Sequence, residues 1–87
     1  MPRISSFYGI GIWMYFREGV HKRPHFHARY GGQEASLAFD GEVLVGRLPS
    51  RALRLVRAWA SLHRSELEEN WQRVTEGKSL KKIDPLP

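Results

Sequence analysis

Residues 25–46 read HFHARYGGQEASLAFDGEVLVG. Phe26, Ala28 and Tyr30 alternate with His25, His27 and Arg29, the period-two pattern of a strand with one face on a core. Gly31-Gly32 then supplies the backbone freedom that a two-residue hairpin needs. Glu34–Phe39 continues as a second strand, Asp40-Gly41 repeats the hairpin signal, and Glu42–Gly46 gives a third strand. Upstream, residues 7–16 (FYGIGIWMYF) are rich in aromatics and Ile and read as one further strand. Its apolar residues occupy both faces: Tyr8, Ile10, Ile12, Met14 and Phe16 on one, Phe7, Trp13 and Tyr15 on the other. Such a strand is central or covered by a partner chain. Gly9 and Gly11 share one face and leave room there for close packing. Arg17–Pro24 is polar, contains Gly19 and Pro24, and reads as a loop. The sum is an antiparallel meander of about four strands over residues 7–47.

At Leu48-Pro49-Ser50 the period changes. Pro suits a helix start, and Ser50 can cap its free amide groups. Ala52, Val56, Trp59, Leu67, Trp71 and Val74 then recur at helical spacing up to Gly77, a suitable stop. A continuous helix over residues 51–76 would be about 39 Å long. Ser65 with Glu68 three residues on reads as a capping box, which places a break near His63–Ser65 and gives two helices. Residues 78–87 form a tail whose Leu80, Ile83 and Leu86 can dock back. The fold class is α+β: a meander followed by one long or two consecutive C-terminal helices. The 87 residues suffice for one domain only, and so small a core keeps a homodimer open.

The chain has no cysteine, which excludes disulfides, thiolate zinc sites and a cysteine nucleophile. Net charge is +5 and the pI is near 10.1, which suits an anionic partner or simply aids solubility. The apolar stretch near the start has about half the length that a spanning helix needs. A cytoplasmic protein without membrane contact or targeting segment is the expectation.

Three groups of residues can carry chemistry. His21, His25 and His27 are spaced H-x3-H-x-H. In a strand, His25 and His27 share a face and can converge on one divalent transition metal ion, with His21 as a third ligand. The same placement suits acid/base work, and a polar strand face with surface histidines is the plainer alternative. His63, Glu66 and Asn70 lie on or beside the apolar stripe of the helix, where a polar group is either hydrogen-bonded or functional. The catalytic candidates are therefore His25, His27, His63 and Glu66. Phe26 and Ala28 make the better core face, which would turn His25 and His27 away from the helices. Arg47, Arg51, Arg54 and Arg57, with Arg29 on the strand, could hold phosphates, or form an ordinary solvated face.

Four stretches carry a family resemblance: PRISSFYGIGIWMYF (2–16), HKRPHFHARYGG (21–32), GEVLVGRLPSRALRLVRAWASLHRSELEENW (41–71) and LKKIDPL (80–86). Together they resemble the bacterial and archaeal domain-of-unknown-function family 4160, over residues 4–86. The characteristic parts are P-H-x-H with a histidine four residues ahead, and W-x3-H-x2-E-L-x2-N-W. In this chain they comprise His21, Pro24, His25, His27, Trp59, His63, Glu66, Leu67, Asn70 and Trp71, with Arg23 where members often carry a second proline. Members are commonly encoded beside a small protein of unknown-function family 2442. The resemblance implies the toxin-like component of a two-gene, toxin–antitoxin-type module. It also implies a small cognate partner protein and RNA as a target, with ribonuclease-like histidine chemistry as one option. A metal-binding or sensing module and a basic nucleic-acid-binding adaptor are the alternatives.

Overall fold

The computed structural model describes residues 3–15 and 23–87. Five strands, β1 (Arg3–Phe7), β2 (Ile10–Trp13), β3 (His25–Tyr30), β4 (Gln33–Ala38) and β5 (Val43–Gly46), form one antiparallel meander in chain order. Two helices follow, α1 (Ser50–Leu62) and α2 (Arg64–Thr75). The α+β class and the order of sheet before helices stand as read from the sequence.

The count rises to five because the aromatic stretch at the start is a hairpin, not a single strand. Tyr8 (φ 50°) and Gly9 (φ 79°) both adopt left-handed backbone, the conformation of a two-residue hairpin turn. The turn sets Phe7 opposite Ile10, so both enter the core, whereas alternation along one strand would separate them. Gly9 therefore serves the turn. Gly11 keeps the expected role: the Trp13 ring lies where a side chain at Gly11 would project. Gly31-Gly32 and Asp40-Gly41 close hairpins as their sequences suggest. In the second, the Asp40 carboxylate accepts the Glu42 N–H at 2.9 Å. Phe16 and the polar loop as far as Lys22 lie outside the described residues.

One sheet face carries Ile10, Ile12, Phe26, Ala28, Ala35 and Leu37, all essentially buried. Ala52, Val56, Trp59 and Ala60 of α1 and Leu67 and Val74 of α2 pack on it. Trp59 meets Phe7 and Phe26 with ring centroids 5.5 and 5.7 Å apart. Burying each of these large side chains contributes about 1.5–3 kcal/mol.

The helical break falls at His63 (φ −114°, ψ 29°), within the expected window. The two expected caps are not the ones used. Pro49 occupies the cap position of α1 and makes no side-chain bond, because the helix already includes Ser50. Likewise Ser65 lies inside α2, and Glu68 pairs with Arg64 instead of closing a capping box. Gly77 (φ 72°) ends α2 as expected. Its N–H reaches the Val74 carbonyl and the Lys78 N–H reaches that of Arg73, a Schellman closure.

The tail docks back. Ile83 is buried, with Leu80 and Leu86 half-buried beside the core. The Ile83 N–H donates to the Ile4 carbonyl at 2.8 Å, so the tail runs along β1. Trp59 Nε1–H donates to the Asp84 carbonyl at 2.8 Å. Asn70, 1% exposed, donates from Nδ2 to the Lys81 carbonyl and accepts the Lys81 N–H at Oδ1. Glu69 adds ion pairs to Lys81 and Arg73.

Two stability outcomes follow. Asn70→Ala strips both Lys81 backbone groups of their partner, and urea denaturation should show a loss of about 2–4 kcal/mol. A loss under about 1 kcal/mol would mean that Asn70 does not clamp the tail. The Lys81 ammonium, then the Arg73 guanidinium, hold the Glu69 carboxyl below the ordinary carboxylate range. Its stabilisation is therefore complete above the unfolded value of about 4.5 and disappears as pH falls through the folded value. Thermal melts from pH 6 down to pH 3 should show a shallower acid loss in Glu69→Gln than in the parent; parallel curves would refute the assignment.

Candidate functional site

The core face of β3 is Phe26 and Ala28, as the alternation suggests, so His27 and Arg29 project from the opposite, outer face of the sheet. The hairpin register sets Arg29 against Glu34 and His27 against Ser36. The Arg29 Nε–H donates to Glu34 at 2.7 Å, and the guanidinium lies 5.2 Å from the centre of the Trp13 ring. The other Glu34 oxygen stands 3.5 Å from His27 Nδ1, and the Ser36 hydroxyl is 3.3 Å from the same nitrogen. Tyr15 packs on the His27 ring at 4.5 Å.

His25, at the start of β3, is buried although it shares the parity of His27. Its ring lies 5.2 Å from that of His27 and 5.3 Å from Trp71 on α2. Its Nδ1–H donates to the Arg23 carbonyl at 2.8 Å, so in the neutral ring Nε2 carries no proton. His25 is thus packed against a helix after all.

The second candidate group sits at the helical break. Glu66, in the first turn of α2, accepts a hydrogen bond from His63 Nδ1–H at 2.5 Å. The imidazole packs on Trp59 at 5.7 Å, and its side chain is 12% exposed. His63 Nε2 is buried and has no hydrogen-bond partner among the described residues. Asn70, by contrast, is fully satisfied by the tail and is structural.

The structure thus pairs His25 with His27 and His63 with Glu66. Among the described residues no hydrogen bond or ring contact joins the two pairs directly. They are linked through rings alone: His25 to Trp71, Trp71 to Phe39, Phe39 to Phe26, Phe26 to Trp59, and Trp59 to His63. Two shallow grooves lie between the β4–β5 turn and the helices, one of about 180 Å³ beside Trp71 and one of about 320 Å³ beside Ser61. Neither is lined by a candidate histidine. No three His, Asp or Glu side chains among the described residues are grouped to hold a metal ion, and His21 lies outside those residues.

The arginines divide. Arg29 is held by Glu34 and Trp13, and the Arg57 Nε–H donates to the Gly41 carbonyl at 2.9 Å. Arg47, Arg51 and Arg54 are exposed, and their guanidinium groups make no hydrogen bond or ion pair with the described residues. Most other described cations are matched: Arg23 to Asp40 and Glu42, Arg64 to Glu68, Lys78 to Glu76. Arg3 is also unmatched, but its carbonyl belongs to the tail contact through Lys82.

A family model described as Domain of unknown function (DUF4160) matches residues 9–72. The chain belongs to this family. The matched span contains every candidate histidine and arginine and stops short of β1 and the tail. No curated protein and no solved structure matches the chain. No helix among the described residues is long and apolar enough to cross a membrane.

Sequence spacing alone did not single out Tyr15, Glu34 and Ser36 beside the strand histidines. The signal for two of them was present: a two-residue turn at Gly31-Gly32 fixes Arg29 opposite Glu34 and His27 opposite Ser36. The unpartnered Nε2 makes a direct prediction. A buried unsatisfied polar atom costs about 1–3 kcal/mol, so His63→Leu, similar in volume, should leave stability unchanged or raise it by about 1 kcal/mol. A loss above about 2 kcal/mol in urea denaturation would show that Nε2 has a partner in solution.

Proposed function

We propose that the protein acts by holding an anionic partner rather than by turning over a substrate, as the partner-binding, toxin-like component of a two-gene module. The observation that carries this reading is the row Arg47, Arg51 and Arg54, whose guanidinium charges no carboxylate among the described residues neutralises. No acidic residue occurs in α1 either, so the excess positive charge of the chain is concentrated along this helix. Unpaired guanidinium groups present planar donor forks suited to phosphates and carboxylates, and they attract such partners over about one Debye length.

Catalysis on RNA would call for imidazoles on both sides of one phosphate. Here the two histidine pairs have no direct contact among the described residues, and the His63 nitrogen that could act is buried. Both points favour binding. In this reading the strand histidines with Glu34 and Tyr15 keep the outer face ordered.

An oligouridylate titration followed by fluorescence anisotropy tests the charge term. Three phosphate contacts predict a slope of log affinity against log salt of about −2, abolished in Arg47→Ser/Arg51→Ser/Arg54→Ser. Binding insensitive to salt or to the triple substitution would refute the reading. In a bacterial host, growth arrest after induction should persist in His25→Ala/His27→Ala and disappear in the arginine triple variant. The reverse pattern would favour histidine chemistry.

A further inference from the structure

The flank of α1 that carries Arg57 faces the β4–β5 turn. There the Arg57 Nε–H donates to the Gly41 carbonyl at 2.9 Å, and a side chain at Gly41 would come within 3.1 Å of Arg57 Cγ. The bare glycine is what lets the arginine stem lie on the turn. This contact fixes the stem and Nε. The two terminal nitrogens make no hydrogen bond with the described residues, and no carboxylate among those residues pairs with the charge. Ser61, one turn on, and Arg64, at the start of α2, follow on the same flank. All three line the groove of about 320 Å³, together with Phe39 and Asp40. The Ser61 hydroxyl makes no hydrogen bond with the described residues, and Arg64 uses only Nε, on Glu68. Three sets of unused donors thus line one hollow.

The groove of about 180 Å³ adjoins this one, since Phe39, Asp40 and Arg64 line both. Its own walls include Pro24 and Trp71. Arg64 and Trp71 stand seven residues apart on one side of α2, about 10 Å along its axis. Asp40 belongs to both grooves and offers a carboxylate acceptor where they meet. The Glu42 N–H, with the Arg23 and Arg64 charges, holds its carboxyl below the ordinary carboxylate range. Glu68, the other carboxylate of the second groove, is paired with Arg64. The joined hollow therefore presents three things in order: guanidinium and hydroxyl donors, one carboxylate acceptor, and an apolar ring surface. Ligand sites commonly run from about 300 to 1,000 Å³, and the two grooves lie at the small end of that range.

We propose that the joined grooves bind a free nucleoside monophosphate. Its phosphate sits on Arg57, Ser61 and Arg64, its ribose hydroxyls donate to Asp40, and its base packs against Trp71 and Pro24. Inorganic phosphate would leave the apolar groove unused. An acidic peptide would set its carboxylates against Asp40 and Glu68. An uncharged aromatic would leave the three donor groups unmatched. None of Arg47, Arg51 and Arg54 lines either groove, so the site does not rest on that row.

The test titrates the ¹⁵N-labelled full chain with adenosine monophosphate (AMP), adenosine, ribose 5-phosphate and inorganic phosphate. AMP should shift the amides of residues 39–41 and 57–64 and the Trp71 indole N–H, and should bind at least about tenfold tighter than any of the three fragments. Arg57→Gln and Ser61→Asp, both at exposed positions, should each weaken AMP at least about tenfold while leaving adenosine within about twofold. Arg47→Ser/Arg51→Ser/Arg54→Ser should keep AMP within about threefold at physiological salt, so the groove and the row can fail separately. AMP that binds no tighter than inorganic phosphate, or that shifts only the amides of residues 47–54, would overturn the proposal. So would a 5′-phosphorylated oligoadenylate that binds at the same amides at least about tenfold tighter than AMP, which would make an RNA end the occupant.

Discussion

The indole of Trp59 is wholly buried and brings one N–H donor into the core with it. A donor so placed must find an acceptor inside. The carbonyl of Asp84 serves. That single requirement draws residues 80–87 across the helices, where Asn70 takes both backbone groups of Lys81 and Ile83 enters the core. Once there, the tail lies along β1 and closes that edge of the sheet.

The parts of the fold legible in the sequence were those with a local cause. Gly31-Gly32, Asp40-Gly41 and Gly77 each dictate a backbone conformation by themselves. The helical stripe from Ala52 to Val74 is strong because it repeats over many residues. Phe7–Ile10 was misread as continuous strand because Tyr-Gly is a weaker turn signal than Asn-Gly or Asp-Gly, and a tyrosine with positive φ is uncommon. The caps were misread because Ser50 sits one position and Ser65 two positions past the cap, inside the helices rather than before them. Such an offset is set by tertiary packing, not by the residues themselves.

The candidate site was legible in membership more than in arrangement. Spacing picks out His25, His27, His63 and Glu66, and the structure pairs them two by two. It does not follow from spacing that His25 would meet Trp71, since alternation assigns it to the outer face. Trp71 of α2 reaches the start of β3, so a residue of outer parity is still covered there. The arginines were legible as a group, but a sequence cannot say which are already occupied. Arg29 is committed by a carboxylate across a hairpin, and Arg57 is anchored between layers through Nε alone.

The clasp between β1 with its turn and residues 80–87 also orders events in time. Tyr8 and Pro87 are joined across 79 positions of sequence, and Lys82 and Arg3 likewise. A ribosome releases β1 long before the residues that cover it exist. Throughout synthesis of the helices the β1 edge is therefore uncovered by the tail, and its closure must wait for residues 80–87. Contacts of such separation are the slow part of folding a small protein, because loop entropy is lost before the contact repays it. The nascent chain passes through an interval in which β1 presents a bare border that residues 80–87 later cover.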